Sequence, residues 1–577
     1  MKVVLATLHS RYIHASLALP CLAAAASGIE GVETVLREYT VNEPAAPVLR
    51  DLAAQEADLV AFSCYIWNVE QTARLASDLK RVRPGTLIAI GGPEVSHTAE
   101  DFLKENESFD FVIRGEGEAA WVELVSMLKS LNSWHARPDS MPAGITYRME
   151  GVVVSAPDRE PIADLDQIPS PFAMGLVDTA KPLVYYETSR GCPFSCAFCL
   201  SSLEKGVRSF SPGRIRQDLE YLMGRGVSVV KLVDRTFNYD PDRADDIWQF
   251  ILERNSRSRF HFEIAADLLT ERNLETLRQA PPGMFRFEIG VQATGSDTLA
   301  RVGRKSDTER LFSNVRRLME ETGVTVHLDL VAGLPGEDFR GFLGSLEKLF
   351  QVGPHHIQVE PLKVLKGSPM AVIAAREGYA WSATPPYKIL TTPDLSFVDI
   401  CRIEDMARLL DIFHNSGRFS RSLAVASSLR PLPRFFNDMA RFLDKSEGSG
   451  KNSLKDYFDL LWNFATSSLN GPGLERFRDA LRFDYCLVEY PAAGALPACF
   501  RDGEPGPREK TPKETLDSLL KTVEIPSGSR VRTFTARFDA NYSVNPPPQS
   551  PIELAFIYVS APGKGLSVHV LPLNSST

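Results

Sequence analysis

The chain lacks an excess of basic charge: 64 Lys and Arg stand against 73 Asp and Glu, for a net charge of -9. A balance of that sign offers no broad attraction to phosphate backbones or anionic membranes, so neither nucleic acid nor a membrane surface is expected as a partner. Also missing is any run approaching the roughly 20 apolar residues that a membrane span needs. Cysteine is scarce, with 8 in 577 residues at irregular distances. That excludes the disulfide framework of a small secreted domain and suits a reducing compartment. No internal repeat appears beyond a general β/α alternation.

What is present describes a soluble globular chain, with 44% hydrophobic, 24% charged and 9% aromatic residues. Its length exceeds what one core can organise and implies three or four units. The stretch "SLALPCLAAAASG" (16–28) follows several basic residues and resembles a secretory leader. It is better read as the first helix of a βαβ unit, because "KVVLATL" (2–8) already forms a strand before it. A cytoplasmic location is expected.

Up to about residue 145 the strand candidates are "KVVLATL", "DLVAFSCY" (58–65), "TLIAIGG" (86–92) and "FDFVIRG" (109–115), alternating with helical stretches. This pattern predicts a doubly wound, Rossmann-like parallel sheet. One helix is expected to open on an Asn68/Gln71 capping box, to bury Val69, Ala73, Ala76, Leu79 and Val82, and to stop at Pro84-Gly85. Ligands of open α/β sheets sit beyond the carboxyl ends of the strands. Those ends carry Ser63, Tyr65 and Trp67, then Gly91, Gly92 and Glu94, then Gly115, Glu116 and Gly117. The glycines permit close backbone approach to a large or phosphate-bearing cofactor. A hairpin-like stretch from Gly144 and the Pro-rich "PIADLDQIPSPF" form a linker, set at 146–179.

From 180 to 400 the alternation resumes with strand candidates at 183–189, 227–234, 260–267, 285–292, 325–333 and 356–362, which predict a partial (β/α)6 barrel. Ser211, Pro212 and Gly226 bracket one of its helices, whose core face is Ile215, Leu219, Leu222 and Met223. Residues 401–577 read as a mainly helical domain with some β, including late strands at 530–538 and 552–560 and a flexible interruption at 444–453.

The cysteines are not evenly scattered: Cys192, Cys196 and Cys199 fall within "RGCPFSCAFCL" (190–200). Three thiolates from one short loop can hold three corners of a 4Fe-4S cluster and leave the fourth iron open. A structural zinc site would need a fourth ligand, and no second Cys or His pair with suitable spacing is present. The loop leaves the carboxyl end of the first barrel strand, where barrel enzymes carry their active sites.

The pattern Cys192-x-x-x-Cys196-x-Phe198-Cys199 resembles the cluster loop of the radical S-adenosylmethionine superfamily. The resemblance implies that S-adenosylmethionine chelates the open iron and is reductively cleaved to a 5′-deoxyadenosyl radical, with a flavodoxin- or ferredoxin-like protein as electron donor. "VDRTFN" (233–238), "EIGVQATG" (288–295) and "DLVAGLPGED" (329–338) are similar to the family's segments that contact S-adenosylmethionine. Asp234, Glu288, Gln292 and Asp329 are the candidates there, and the last three should point into the barrel.

The front module resembles the cobalamin-binding domain of the B12-dependent branch, and the tail resembles an uncharacterised C-terminal domain attached to some of these proteins. None of the ten histidines has Asp two places before it, so the usual lower histidine ligand of cobalt is not expected. Tyr65, Ile66 or Trp67 would cover that face. His9 and His14 are read as loop hydrogen-bonding groups and Cys21 and Cys64 as small buried residues. The implied activity is transfer of a methyl group from methylcobalamin to an unactivated carbon of a small-molecule or peptide substrate. The alternatives are a radical cyclase or rearrangement enzyme using the same cofactors, and a non-catalytic cobalamin and cluster sensor. A tRNA methylthiotransferase would carry further front-domain cysteines and a basic tail.

Overall fold

A computed structural model describes residues 1–131, 141–204, 206–443, 453–492, 495–500, 519–544, 546–548, 550–561, 563 and 565–573. The chain divides into two compact units: 1–341 with 352–354 and 361–400, and 342–351 with 355–360 and 401–577.

The first unit opens on a seven-stranded sheet. Its strands are β1 (Lys2–His9), β2 (Glu33–Thr40), β3 (Leu59–Ser63), β4 (Leu87–Gly91), β5 (Phe111–Ile113), β6 (Ile145–Met149) and β7 (Val152–Ser155), in the order β2-β1-β3-β4-β5-β6-β7. Pairings from β2 to β5 are parallel, and the β6–β7 hairpin adds to β5 antiparallel. Side chains alternate across a strand, and both faces of β1 are buried. Val4 and Ala6 pack with Leu52, Leu75 and Phe102 on one side, whereas Val3 and Leu5 pack with Leu19, Trp121 and Leu124 on the other. Helices on both faces explain why β1 reads as a continuous apolar run. The stretch resembling a leader contains helix Ala18–Ala26 of this core.

Two local expectations are corrected. Helix Val69–Val82 begins after Asn68, but Asn68 does not cap it with its side chain. Its Oδ1 accepts from Tyr65 N at 2.8 Å and its Nδ2 donates to Leu8 O at 3.0 Å, bracing the strand-end loop instead. The buried face is Thr72, Leu75, Ala76 and Leu79, and Val82 is exposed. Strand β2 escaped the sequence reading because it is a half-buried edge carrying Glu33, Arg37 and Glu38.

The second sheet of this unit is parallel, built from β8 (Leu183–Tyr186), β11 (Val229–Leu232), β12 (Arg259–Ile264), β13 (Phe285–Gln292) and β14 (Thr325–Ala332), and β15 (His356–Pro361) comes next in the chain. Between them, β9 (Ser189–Cys192) and β10 (Gly206–Ser209) form an antiparallel hairpin. The expected continuous strand at 183–189 is therefore two strands. Asp234 draws the chain aside there by accepting from Thr188 N at 3.0 Å and from the Ser189 hydroxyl at 2.5 Å. On β12 and β13 one face is aromatic, with Phe260, Phe262, Phe285 and Phe287 buried near Trp248. The opposite face presents His261, Glu263 and Glu288, so apolar residues point to the helical layer and polar ones inward. Helix Pro212–Gly224 has the expected cap: the Ser211 hydroxyl accepts from Arg214 N at 3.2 Å. Two short strands, β16 (Ala380–Trp381) and β17 (Ile389–Thr391), follow.

The second unit carries helices Ser420–Leu429, Leu432–Leu443, Leu454–Ser468 and Gly471–Val488 and a sheet ordered β18 (Arg530–Phe538), β19 (Ile552–Ser560), β20 (Leu566–Pro572). Phe534, Phe538 and Phe556 pack against Ala480 and Phe483 of helix Gly471–Val488. Of the interruption at 444–453 only Ser453, which caps a helix with Asp456, lies within the described residues. Among the described residues no helix is long and apolar enough to cross a membrane.

Candidate functional site

The cysteine loop begins on the β9–β10 hairpin, where Cys192 pairs in register with Gly206. Gly191 has φ +88, and a Cβ there would lie 2.2 Å from Gly206 O, so only glycine lets the strands close beneath the loop. Cys192 Sγ is 3.5 Å from Thr236 Oγ1. Cys196 is buried and its sulfur accepts from Arg304 Nη1 at 3.6 Å. Burial raises its thiol pKa, and the Arg304 cation works against that shift. Cys199 and Phe198 are half-buried. Backbone bonds from Ala197 N to Val302 O (2.8 Å) and from Met370 N to Ala197 O (2.9 Å) tether the middle of the loop.

Cys192, Cys196 and Cys199 are free thiols. Among the described residues no three His, Cys, Asp or Glu side chains sit at the spacing of ligands to one metal ion. Three thiols spread along one loop suit a polynuclear cluster, whose thiolates bind separate iron atoms, better than a single ion.

Inward from the loop, Glu263, Glu288 and Asp329 occupy neighbouring strands, with Glu263 in register with Glu288 and Gly290 with Asp329. Burial pushes the Glu263 carboxyl up to about 7, reinforced by Glu288. Burial opposes ionisation of Glu288 as well, but the neighbouring His261 and the Lys231 charge hold it at about 2. Lys231 Nζ lies 3.1 Å and His261 Nε2 2.9 Å from that carboxylate. Asp329 is pushed well above the carboxylate range by burial and then by Glu288 and Glu263, and its buried Oδ1 has no hydrogen-bond partner. Gln292 has φ +71 at an irregularity in the β13–β14 pairing. Such a backbone persists only where its surroundings hold it.

The first module has a cavity at the carboxyl ends of its strands, lined by Ser63, Tyr65, Gly91, Gly92, Gly115, Gly117 and Glu118 over a floor including Leu19, Leu22, Ile90 and Ile113. An apolar floor with backbone-rich, glycine-lined walls fits a large cofactor tail. Gly92 has φ +117, and a Cβ there would meet Cys64 O at 2.2 Å. The Trp67 ring stacks on Tyr65 with centroids 4.4 Å apart and an interplanar angle of 5°, and its Nε1 donates to Leu8 O at 3.3 Å. His9 Nε2 lies 2.8 Å from Glu38 Oε2, and His14 Nδ1 lies 2.5 Å from Tyr185 Oη.

Three candidate carboxylates are already engaged by the protein. Asp234 serves Thr188 and Ser189. The Tyr387 hydroxyl donates to Glu94, which does not line the cavity. Glu116 accepts from Arg208 Nη2 at 2.5 Å and from Ile162 N at 2.8 Å. The sequence reading missed Glu263, Lys231, His261, Arg190 and Arg304. The alternation that marks Glu288 also marks Glu263, whereas Arg304 reaches Cys196 across 108 positions and leaves no local signal.

Residues 1–125 match the B12 binding domain family, 186–349 the radical SAM superfamily and 377–528 a family described as a protein of unknown function, DUF4080. The chain is 26% identical over 384 residues to "Cobalamin-dependent radical SAM methyltransferase TokK" of Streptomyces tokunonensis, covering 63% of this chain and 55% of that one. It is 25% identical over 429 residues to "2-(S-pantetheinyl)-carbapenam-3-carboxylate methyltransferase" of Streptantibioticus cattleyicolor, covering 69% and 58%. It thus spans a little over half the length of these relatives. The solved structure of the cobalamin-dependent S-adenosylmethionine radical enzyme OxsB with aqua-cobalamin bound superposes with a TM-score of 0.59 at 17% identity, covering 84% of this chain and 79% of that one. At that identity the likeness shows a shared fold.

Proposed function

Since the chain joins a B12-binding module to a radical S-adenosylmethionine module, we propose that it is a cobalamin-dependent radical enzyme that methylates an unactivated carbon of a small-molecule or peptide substrate. The observation that carries this reading is the single loop of three free thiols together with an inward-facing carboxylate, Asp329, whose buried Oδ1 lacks a protein partner. The two methyltransferase relatives support methyl transfer as the outcome.

When bound, the cluster supplies the electron that splits the sulfonium, and cobalamin carries the methyl group. Cys192, Cys196 and Cys199 hold the cluster. Arg304 supplies a cation beside Cys196, where it stabilises negative charge on the thiolate. Asp329, Glu263, Glu288 and Gln292 present acceptors to the hydroxyls and ammonium of S-adenosylmethionine. With Glu263 near 7 and Asp329 raised, the interior carries less negative charge before a cationic ligand arrives than its acid count implies. Ser63, Tyr65, Gly91, Gly92, Gly115 and Gly117 would cradle cobalamin, with the Tyr65–Trp67 stack as an aromatic surface at the same strand end. Asp234, Glu94 and Glu116 act as braces rather than ligands. Working boundaries remain 1–145, 146–179, 180–400 and 401–577, with the last segment accessory to the chemistry. A flavodoxin- or ferredoxin-like donor and a cytoplasmic setting complete the proposal, with neither nucleic acid nor membrane as partner.

Anaerobic reconstitution with iron, sulfide and cobalamin tests this reading by ultraviolet–visible and electron paramagnetic resonance spectra recorded with and without S-adenosylmethionine. The expected result is a cluster signal that changes on adding S-adenosylmethionine, together with 5′-deoxyadenosine formation under reductant. An unresponsive, fully protein-ligated metal centre overturns the reading. Once a substrate is found, a labelled methyl group in the product separates methyl transfer from cyclisation or rearrangement.

A further inference from the structure

Arg190 and Arg208 stand directly opposite each other on the β9–β10 hairpin that begins the cysteine loop. Like charges in that cross-strand position repel, so the isolated hairpin is electrostatically disfavoured. Relief comes from a distant part of the first unit, the turn between β5 and helix Gly117–Ser130. Glu118 accepts both arms of the Arg190 fork, at 2.5 Å from Nη2 and 3.2 Å from Nη1. Glu116 accepts the fork of Arg208 in the same way, at 2.5 and 3.2 Å, and lies 3.7 Å from Arg190. The Arg190 Nε donates to Glu187 at 3.0 Å. Side-chain exposure is 12% for Arg190, 10% for Glu118 and 13% for Glu116, so these charges interact with little screening by water.

The position of the network gives it a consequence. Arg190 lies two residues before Cys192, and Glu118 lines the strand-end cavity of the first module. We infer that the paired forks Arg190–Glu118 and Arg208–Glu116 clamp the cluster hairpin to the strand-end turn of the first module, making Arg190 a positioning residue for both cofactor sites. Arginine is required because lysine cannot span both carboxylate oxygens and Glu187 at once. The names of the two sites rest on the function proposed above, but the clamp itself requires neither cofactor.

Hydrogen exchange of the full chain without cofactors tests the clamp. Glu118→Gln keeps the shape of residue 118 and removes its charge and one of the two oxygens that accept the Arg190 fork. It should speed exchange of amides in 189–192 and 206–209 about tenfold, a shift corresponding to ~1.4 kcal/mol, while the β19 amides at 552–560 stay unchanged. Arg190→Lys should speed exchange at 115–119 in return. Should each substitution affect only its own segment, the clamp is refuted. If Arg190→Lys does not yield folded protein, the Glu118→Gln result decides alone, because its effect is read on the opposite segment. A second readout uses reconstituted protein holding reduced cluster and cob(II)alamin. The cluster should accelerate relaxation of the cobalt signal in the unmodified protein and do so less in Glu118→Gln; equal acceleration overturns the positioning role. Failure to assemble any cluster in the unmodified chain would refute the proposed function and leave the exchange result standing.

Discussion

Buried acids occur in two regions of this molecule, and their partners differ. In the second unit Asp484 is fully buried within helix Gly471–Val488. It accepts from Arg421 N at 3.1 Å and Ser422 N at 2.8 Å, as well as from the Ser422 hydroxyl. It therefore ties down the start of helix Ser420–Leu429. On the same helix Asp479 accepts from Asp539 N at 2.8 Å and faces Arg482 Nη1 at 3.4 Å. In the barrel interior, by contrast, Asp329 keeps a buried oxygen without a partner. Both environments raise the carboxyl pKa through burial, so the shift alone does not distinguish structure from function. The distinction lies in whether the protein supplies the hydrogen bonds that burial demands. A satisfied buried acid holds the fold together, and one that keeps a buried oxygen unpartnered is a candidate to meet a ligand.

The sharpest break in this comparison is Cys196→Ala. It should abolish cleavage of S-adenosylmethionine by about 10^3-fold or more, corresponding to ~4 kcal/mol, with stability changed by only about 1 kcal/mol. Deoxyadenosine yield and urea unfolding measure the two quantities. Asp484→Ala should do the reverse. Loss of the acceptor strands buried donors and costs about 2–4 kcal/mol of stability, visible as a lower urea midpoint, while the cluster still assembles. Asp329→Asn is expected to leave unfolding nearly unchanged and weaken S-adenosylmethionine binding about tenfold, or ~1.4 kcal/mol; calorimetric titration of the reconstituted protein reads that change.

A separate break is in pH dependence, whose sign differs between the regions. The Asp484 carboxyl lies at about 7 in the fold, above its unfolded value of ~3.9. The native state therefore holds the proton more tightly, and this contribution to stability is complete below about pH 4 and lost as pH rises through 7. Glu288, held at about 2, is opposite: its contribution is present above ~4.3 and lost as pH falls through about 2. Asp484→Asn should flatten the stability profile between pH 4 and 7, and Glu288→Gln should flatten it below 4. Chemical unfolding at a series of pH values separates them.

Much of the first unit was legible because its signals are local. The apolar run of β1 reports burial on both faces, and the alternation in "FRFEIGVQ" coincides with all eight residues of β13. Edge strands were harder to read. The half-buried, charged β2 and the weakly buried β20 lack the contrast that marks a strand, since solvent accepts either pattern there. Asn68 was misread for a related reason. Its residue type favours a helix cap, but tertiary contacts with Leu8 and Ser63 claimed the side chain.

By itself the sequence determined the chemistry on offer: three thiols on one loop, glycines at strand ends, and acids on the polar face of alternating strands. These are properties of neighbouring residues, set by the two-residue period of a strand and the conformational freedom of glycine. Only the tertiary structure decided which charged groups were paired and which remained available. Glu118 meets Arg190 across 72 positions, and Asp234 meets Thr188 across 46, whereas Asp329 meets no donor at its Oδ1. The physical reason is that a buried charge must be matched by whatever groups the fold brings to it, and strand pairing and domain docking place those groups far away in the chain.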